Sequence, residues 1–158
     1  MSSHDNRGVR ALFKELDQRH FAGNLTLTGF RVNVRNLLAG EVETYDHPDG
    51  SRDNFLIEED NLRGAMIFEA RLILVNRHDR VLLAPGRDPA VELRNTLLHE
   101  MAHAAVDLAR PLRRGADPHG RRFVRQLRRL EAAGESSLRE QVRFYSMTPF
   151  RRLLASVL

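Results

Sequence analysis

Residues 96–107 read Thr-Leu-Leu-His-Glu-Met-Ala-His-Ala-Ala-Val-Asp. His99 and His103 are four residues apart. On a helix that spacing puts two side chains on one face about one turn apart, so both imidazoles can reach a single zinc ion at roughly 2.0–2.1 Å. Glu100 lies roughly 100° round the helix from His99. From there its carboxylate can meet a water at the metal without ligating the metal itself. Zinc lowers the pKa of such a water toward ~7, and the carboxylate takes the proton as the oxygen attacks a carbonyl. These residue types, in this order, point to metal-assisted hydrolysis.

A catalytic zinc takes three protein ligands and keeps a fourth position open. The chain has no cysteine, so the third ligand must be His, Asp or Glu. Val106 and Ala109 stand where the extended metzincin pattern requires glycine and histidine, which excludes that class. Glu131 or Glu135 could serve from a later helix, as in gluzincins. The other option is His119, within Asp117-Pro118-His119-Gly120-Arg121-Arg122-Phe123. Projecting a helix from Phe123, Val124, Leu127 and Leu130 puts His119 in its first turn, on the core-facing side. Gly120 beside it leaves room for a metal. Asp107, one turn beyond His103, could orient a ligand imidazole or pair with Arg110. The hydroxyls of Tyr45 and Tyr145 are candidates to stabilise an oxyanion.

These residues need elements to hold them. Val9, Leu12, Phe13 and Leu16 have helical spacing, which predicts a helix over residues 5–20 opened by Asp5, with Gly23 at its exit. Strands are expected over 25–35, 41–46 and 65–76, with a turn at 47–50 and an acidic loop over 46–61. Asp88-Pro89 opens the helix that carries the chemistry, as N-cap and first residue. That helix should run to about Ala109, with Pro111 stopping it. Asp117-Pro118 reads as the same start signal for a helix to about Ala133, closed by Gly134. A further helix is expected over 136–145, and Thr148-Pro149 opens a short last one. Helix, a few strands, then helices is an α+β order.

The 158 residues suggest one domain, with 1–135 as its main body and 136–158 as a helical extension. Without cysteine, a disulfide scaffold, a thiolate nucleophile and a Cys-ligated zinc ribbon are all excluded. No apolar run approaches the ~20 residues of a membrane span, and the first 30 residues lack a signal-peptide core, so a cytoplasmic protein with no membrane partner is expected. Charge is segregated. Residues 1–109 hold 13 basic and 17 acidic side chains, net −4, whereas residues 110–158 hold 12 and 4, net +8. Arg121, Arg122, Arg125, Arg128 and Arg129 fall opposite the apolar stripe of the helix after His119, with Arg113 and Arg114 just upstream. Such a face could track the phosphate backbone of DNA, or it could be only a solvated helix surface. No aromatic interleaves the arginines, so base stacking is not indicated.

His99-Glu100-Met101-Ala102-His103 followed by His119-Gly120-x-x-Phe123 resembles the SprT-like metalloprotease domain, the family that includes Spartan, a protease acting on DNA–protein crosslinks. The stretch from Ala11-Leu12-Phe13 to His20-Phe21-Ala22-Gly23-Asn24-Leu25 is similar to that family's opening helix and exit. Leu72–Asn76 and Asn95-Thr96-Leu97-Leu98 are similar to the approach to its active site. The likeness covers roughly residues 9–130. It implies zinc on His99, His103 and His119, Glu100 as general base, and a small zincin-like fold with a few-stranded sheet packed against the active-site helix. The family's Cys-rich ribbon is missing, and a helical C-terminus stands in its place. The resemblance implies a zinc endopeptidase that acts on protein substrates and is associated with DNA. Two alternatives stand beside it: a nucleic-acid-binding module with a structural zinc, and a zinc peptidase with no nucleic-acid partner.

Overall fold

The computed structural model describes residues 6–35, 37, 39–57, 62–76 and 86–157. The expected cap Asp5 and the end of the acidic stretch, 58–61, lie outside these. Among the described residues the fold is α+β, with two small sheets and several helices. Two compact units divide it, Met1–Ala104 and Ala105–Leu158.

In the first unit, α1 (Asn6–Phe21) buries Val9, Phe13 and Leu16 of the stripe that its spacing predicts and leaves Leu12 half-buried. Residues 25–35, expected as one strand, are instead a helical turn α2 (Asn24–Leu27) followed by β1 (Arg31–Arg35). The cause is Asp17. Its buried carboxylate accepts the backbone N–H groups of Leu25 at 3.1 Å and Thr26 at 2.8 Å, satisfying donors that a helix start leaves open. The expected strand 65–76 is two strands, β4 (Gly64–Ile67) and β5 (Leu72–Asn76), joined by a turn in which Arg71 adopts φ 49°. β5 is central, parallel to β1 and antiparallel to β4. All five of its residues are buried. The stretch expected as an acidic loop contains β3 (Arg52–Leu56), which pairs antiparallel with β2 (Val42–Asp46) in a separate hairpin.

The long helix α3 (Pro89–Ala109) starts and ends where its signals predict. Asp88 accepts the Ala90 N–H at 2.9 Å through its side chain and the Glu92 N–H at 3.0 Å through its carbonyl, the geometry of an N-cap. Leu93, Leu97, Leu98, Met101, Ala102 and Ala104 are buried, and so are Asn95, Thr96, Glu100 and His103. Burial therefore runs all round the helix across the His-Glu motif. Toward the end of the helix Leu108 is 37 % exposed. Glu92 is held by Arg63 at 3.3 Å and Arg87 at 3.1 Å.

In the second unit, α4 (Arg121–Ala132) buries Phe123, Val124, Leu127 and Leu130. A 3-10 turn, Ser136–Leu138, leads into α5 (Arg139–Tyr145), and α6 (Pro149–Val157) follows. α6 is opened by Thr148, whose carbonyl accepts the Arg152 N–H at 3.0 Å. Among the described residues no helix is long and apolar enough to cross a membrane.

Candidate metal centre

Helical spacing does what the motif requires of it. The Nε2 atoms of His99 and His103 stand 3.2 Å apart, with their rings edge to face at 4.9 Å. Two nitrogens bound to one tetrahedral zinc at roughly 2.0–2.1 Å would be about 3.3–3.4 Å apart. The pair therefore fits one ion. Glu100, between them in sequence, is 7 % exposed, and burial pushes its carboxyl up to about 8. A carboxylate made more basic in this way suits proton abstraction near neutral pH, and a cation beside it would restore its ionised form.

Room for that carboxylate comes from β4. A Cβ on Gly64 would stand 3.1 Å from Glu100 Oε1, 3.0 Å from Thr96 Cγ2 and 3.0 Å from the Leu74 carbonyl oxygen. Nothing local in the sequence marks this, since Gly64 stands just before the strand expected over 65–76. Only the neighbouring α3 gives it meaning.

His119 corrects the helix projection. It lies in the turn before α4, not in the helix's first turn. Asp117 accepts the His119 N–H at 2.9 Å through its side chain, and its carbonyl accepts the Gly120 N–H at 3.1 Å. Asp-Pro here closes a turn on itself, whereas Asp88-Pro89 caps a helix. Burial pushes the His119 imidazole below the ordinary histidine range, opposed by Asp117, and so favours the neutral, ligating form. One ligand atom from each of His99, His103 and His119 lies within 4.8 Å of the others, and this group could hold a metal ion. Among the described residues it is the group with that property. Glu131 accepts Arg139 Nε at 3.1 Å, and Glu135 is buried beyond the end of α4.

The family model for the SprT-like family matches residues 9–143. The chain belongs to the SprT-like family. Membership suggests a metalloprotease-type function for the chain. No curated protein and no solved structure matches it. In this SprT-like chain, residues 144–158 lie beyond the matched span.

The remaining candidates fall into different settings. Asp107 is half-buried on α3. Tyr45 packs against the apolar cluster of Leu37, Ile57, Ile67, Ala70, Leu72 and Leu74, and meets His47 edge to face at 5.3 Å. Tyr145 stacks on His119. The arginines do not form one uniform surface. Arg122 donates to the carbonyls of Val106 and Arg110, both at 2.7 Å, and so closes the end of α3. Arg128 donates to Ser146 Oγ at 3.2 Å and Arg129 to Gln126 Oε1 at 3.0 Å. Arg122 is half-buried, whereas Arg113, Arg114, Arg121, Arg125, Arg128 and Arg129 are exposed.

Proposed function

We propose that this protein is a zinc-dependent endopeptidase with a small zincin-like catalytic domain. The observation that carries the reading is the group of His99, His103 and His119 beside the buried Glu100, in a SprT-like chain. Bound zinc supplies Lewis acidity, polarising a peptide carbonyl and making a water acidic near neutral pH. The chain's residues do the rest. Three imidazoles are neutral ligands, so they leave the ion its full positive charge. Glu100 takes a proton from the attacking water and delivers it to the departing amine nitrogen. The C–O bond forms as the C–N bond breaks, giving a carboxylic acid and an amine. The burial of Glu100 holds its carboxylate in one place through both transfers.

The expected outcome is hydrolysis of an unfolded protein such as casein, abolished by chelation and restored by about one equivalent of zinc per chain. Hydrolysis that survives complete metal removal would overturn the reading.

The protein substrates are further proposed to lie on DNA. The charge excess of residues 110–158 supports this, as do the exposed Arg113, Arg114, Arg121 and Arg125. The reading without a nucleic-acid partner draws on Arg122, half-buried and bonded to the end of α3, and on the exposed Arg128 and Arg129, which donate to neighbouring side chains. A salt-dependent affinity for single-stranded DNA favours the first, and none at low salt favours the second.

A further inference from the structure

His119 sits in a turn, so a helical backbone of its own does not fix its ring. Contacts from the end of the second unit do so. Tyr145, the last residue of α5, stacks on the imidazole with ring centroids 4.4 Å and planes 17° apart. Phe123 of α4 meets the same imidazole edge to face at 4.9 Å and meets Tyr145 at 5.5 Å. Arg152 of α6 lies over the Tyr145 ring, 6.0 Å from its centroid. Its Nη2 donates to Asp117 Oδ2 at 2.9 Å. Asp117 Oδ1 in turn accepts the N–H of His119. The contacts close a loop from His119 through Tyr145, Arg152 and Asp117 back to His119.

Each contact restrains a different freedom. An offset stack fixes the plane of a ring, and an edge-to-face contact fixes its rotation about that plane. The ion pair ties α6 to the turn. Arg152's side chain is 16 % exposed and that of Asp117 45 %, so solvent screens the pair in part. Tyr145 and Arg152 both lie beyond residues 9–143, the span that matches the family.

We propose that Tyr145 and Arg152 are positioning residues: together they hold the His119 ring in the orientation a metal ligand needs. A preset third ligand spares the ion the task of ordering the turn as it binds, so affinity rises. The inference rests on the metal-centre reading, and the test separates the two.

Zinc affinity is measured on the full chain by competition with a chromogenic chelator. The variants are Tyr145→Phe, Tyr145→Leu, Arg152→Gln and His119→Ala, and Tyr145→Leu is also combined with His119→Ala. Tyr145→Phe keeps the stack and should bind within about twofold of wild type. Tyr145→Leu removes the ring and should weaken zinc roughly 10–100-fold, as loss of groups that orient a ligand does. Arg152→Gln should weaken it by a smaller factor, and it decides the question if Tyr145→Leu does not fold. With His119 already alanine, Tyr145→Leu should cost nothing further. A Co2+-loaded Tyr145→Leu protein should also show an altered visible spectrum, which a change in overall stability alone would not produce. Wild-type affinity in folded Tyr145→Leu, or an equal loss with and without His119, overturns the clamp. Wild-type affinity in His119→Ala instead overturns the metal centre, and the clamp falls with it.

Discussion

Gly64 and Glu100 define what the candidate centre tolerates at the scale of single residues. A methyl at residue 64 would press on a backbone oxygen at 3.0 Å and on the Glu100 carboxylate at 3.1 Å. The carbonyl belongs to the central strand and cannot yield easily. Gly64→Ala is therefore expected to cost about 1–3 kcal/mol of stability, as overpacking does, and to lower kcat while zinc content stays at one per chain. Denaturant unfolding and metal analysis of the same sample check both parts; an alanine variant with wild-type stability and kcat would contradict this packing. The third ligand gives a second prediction. His119→Ala should weaken zinc more than roughly 10-fold, whereas Glu131→Ala should not, since Glu131 is engaged by Arg139. His99, Glu100 and His103 were legible in the sequence because one helix sets their geometry. The place of His119 was not legible from helical projection, because a turn closed by Asp117 displaces it from α4. The roles of Gly64 and Tyr145 depend on partners distant in sequence, which no local pattern encodes.

At the scale of elements, α3 was readable because each of its signals is local: an Asp cap, a Pro in the first turn, and apolar spacing. Its far end is closed by something less local. Arg122 reaches back to the carbonyls of Val106 and Arg110. Arg122→Ala should destabilise the fold by about 1.5–3 kcal/mol, the scale of hydrogen bonds from a charged donor. Arg125→Ala, on the same helix but exposed, should lie within roughly ±0.5 kcal/mol of wild type. Comparable midpoints for the two in urea would show that the α3 end does not depend on Arg122. The elements that escaped sequence reading have identifiable causes. β3 is polar along Arg52-Asp53-Asn54 because its hairpin is largely exposed, so no apolar alternation marks it. α2 is a single turn nucleated by Asp17, eight and nine residues before the N–H groups it holds. The break between β4 and β5 falls at Arg71, a non-glycine residue in the left-handed region, where neither Gly nor Pro announces a turn.

At the scale of the whole molecule, the sequence made the α+β class and the family legible, and the family match runs through residue 143. The charge segregation was equally plain, but that Arg122 turns inward to close α3 depends on hydrogen bonds that composition cannot show. If the basic segment meets DNA, reversing Arg113, Arg114, Arg121 and Arg125 to Glu should weaken binding for every sequence alike. The slope of log K against log[salt] should shrink by about 0.7–0.9 for each arginine–phosphate pair removed. The thermal midpoint should hold, since these side chains are exposed. An unchanged salt slope would move the phosphate-binding surface elsewhere or remove it. In the proposed centre Glu100 performs the chemistry while the histidines hold the metal. The most direct test of that division is zinc stoichiometry and proteolysis measured together on Glu100→Gln. The expected result is one zinc per chain, as in wild type, with hydrolysis reduced by roughly 10²-fold or more. Loss of the zinc, or a metal-loaded variant that still cleaves at the wild-type rate, would contradict it.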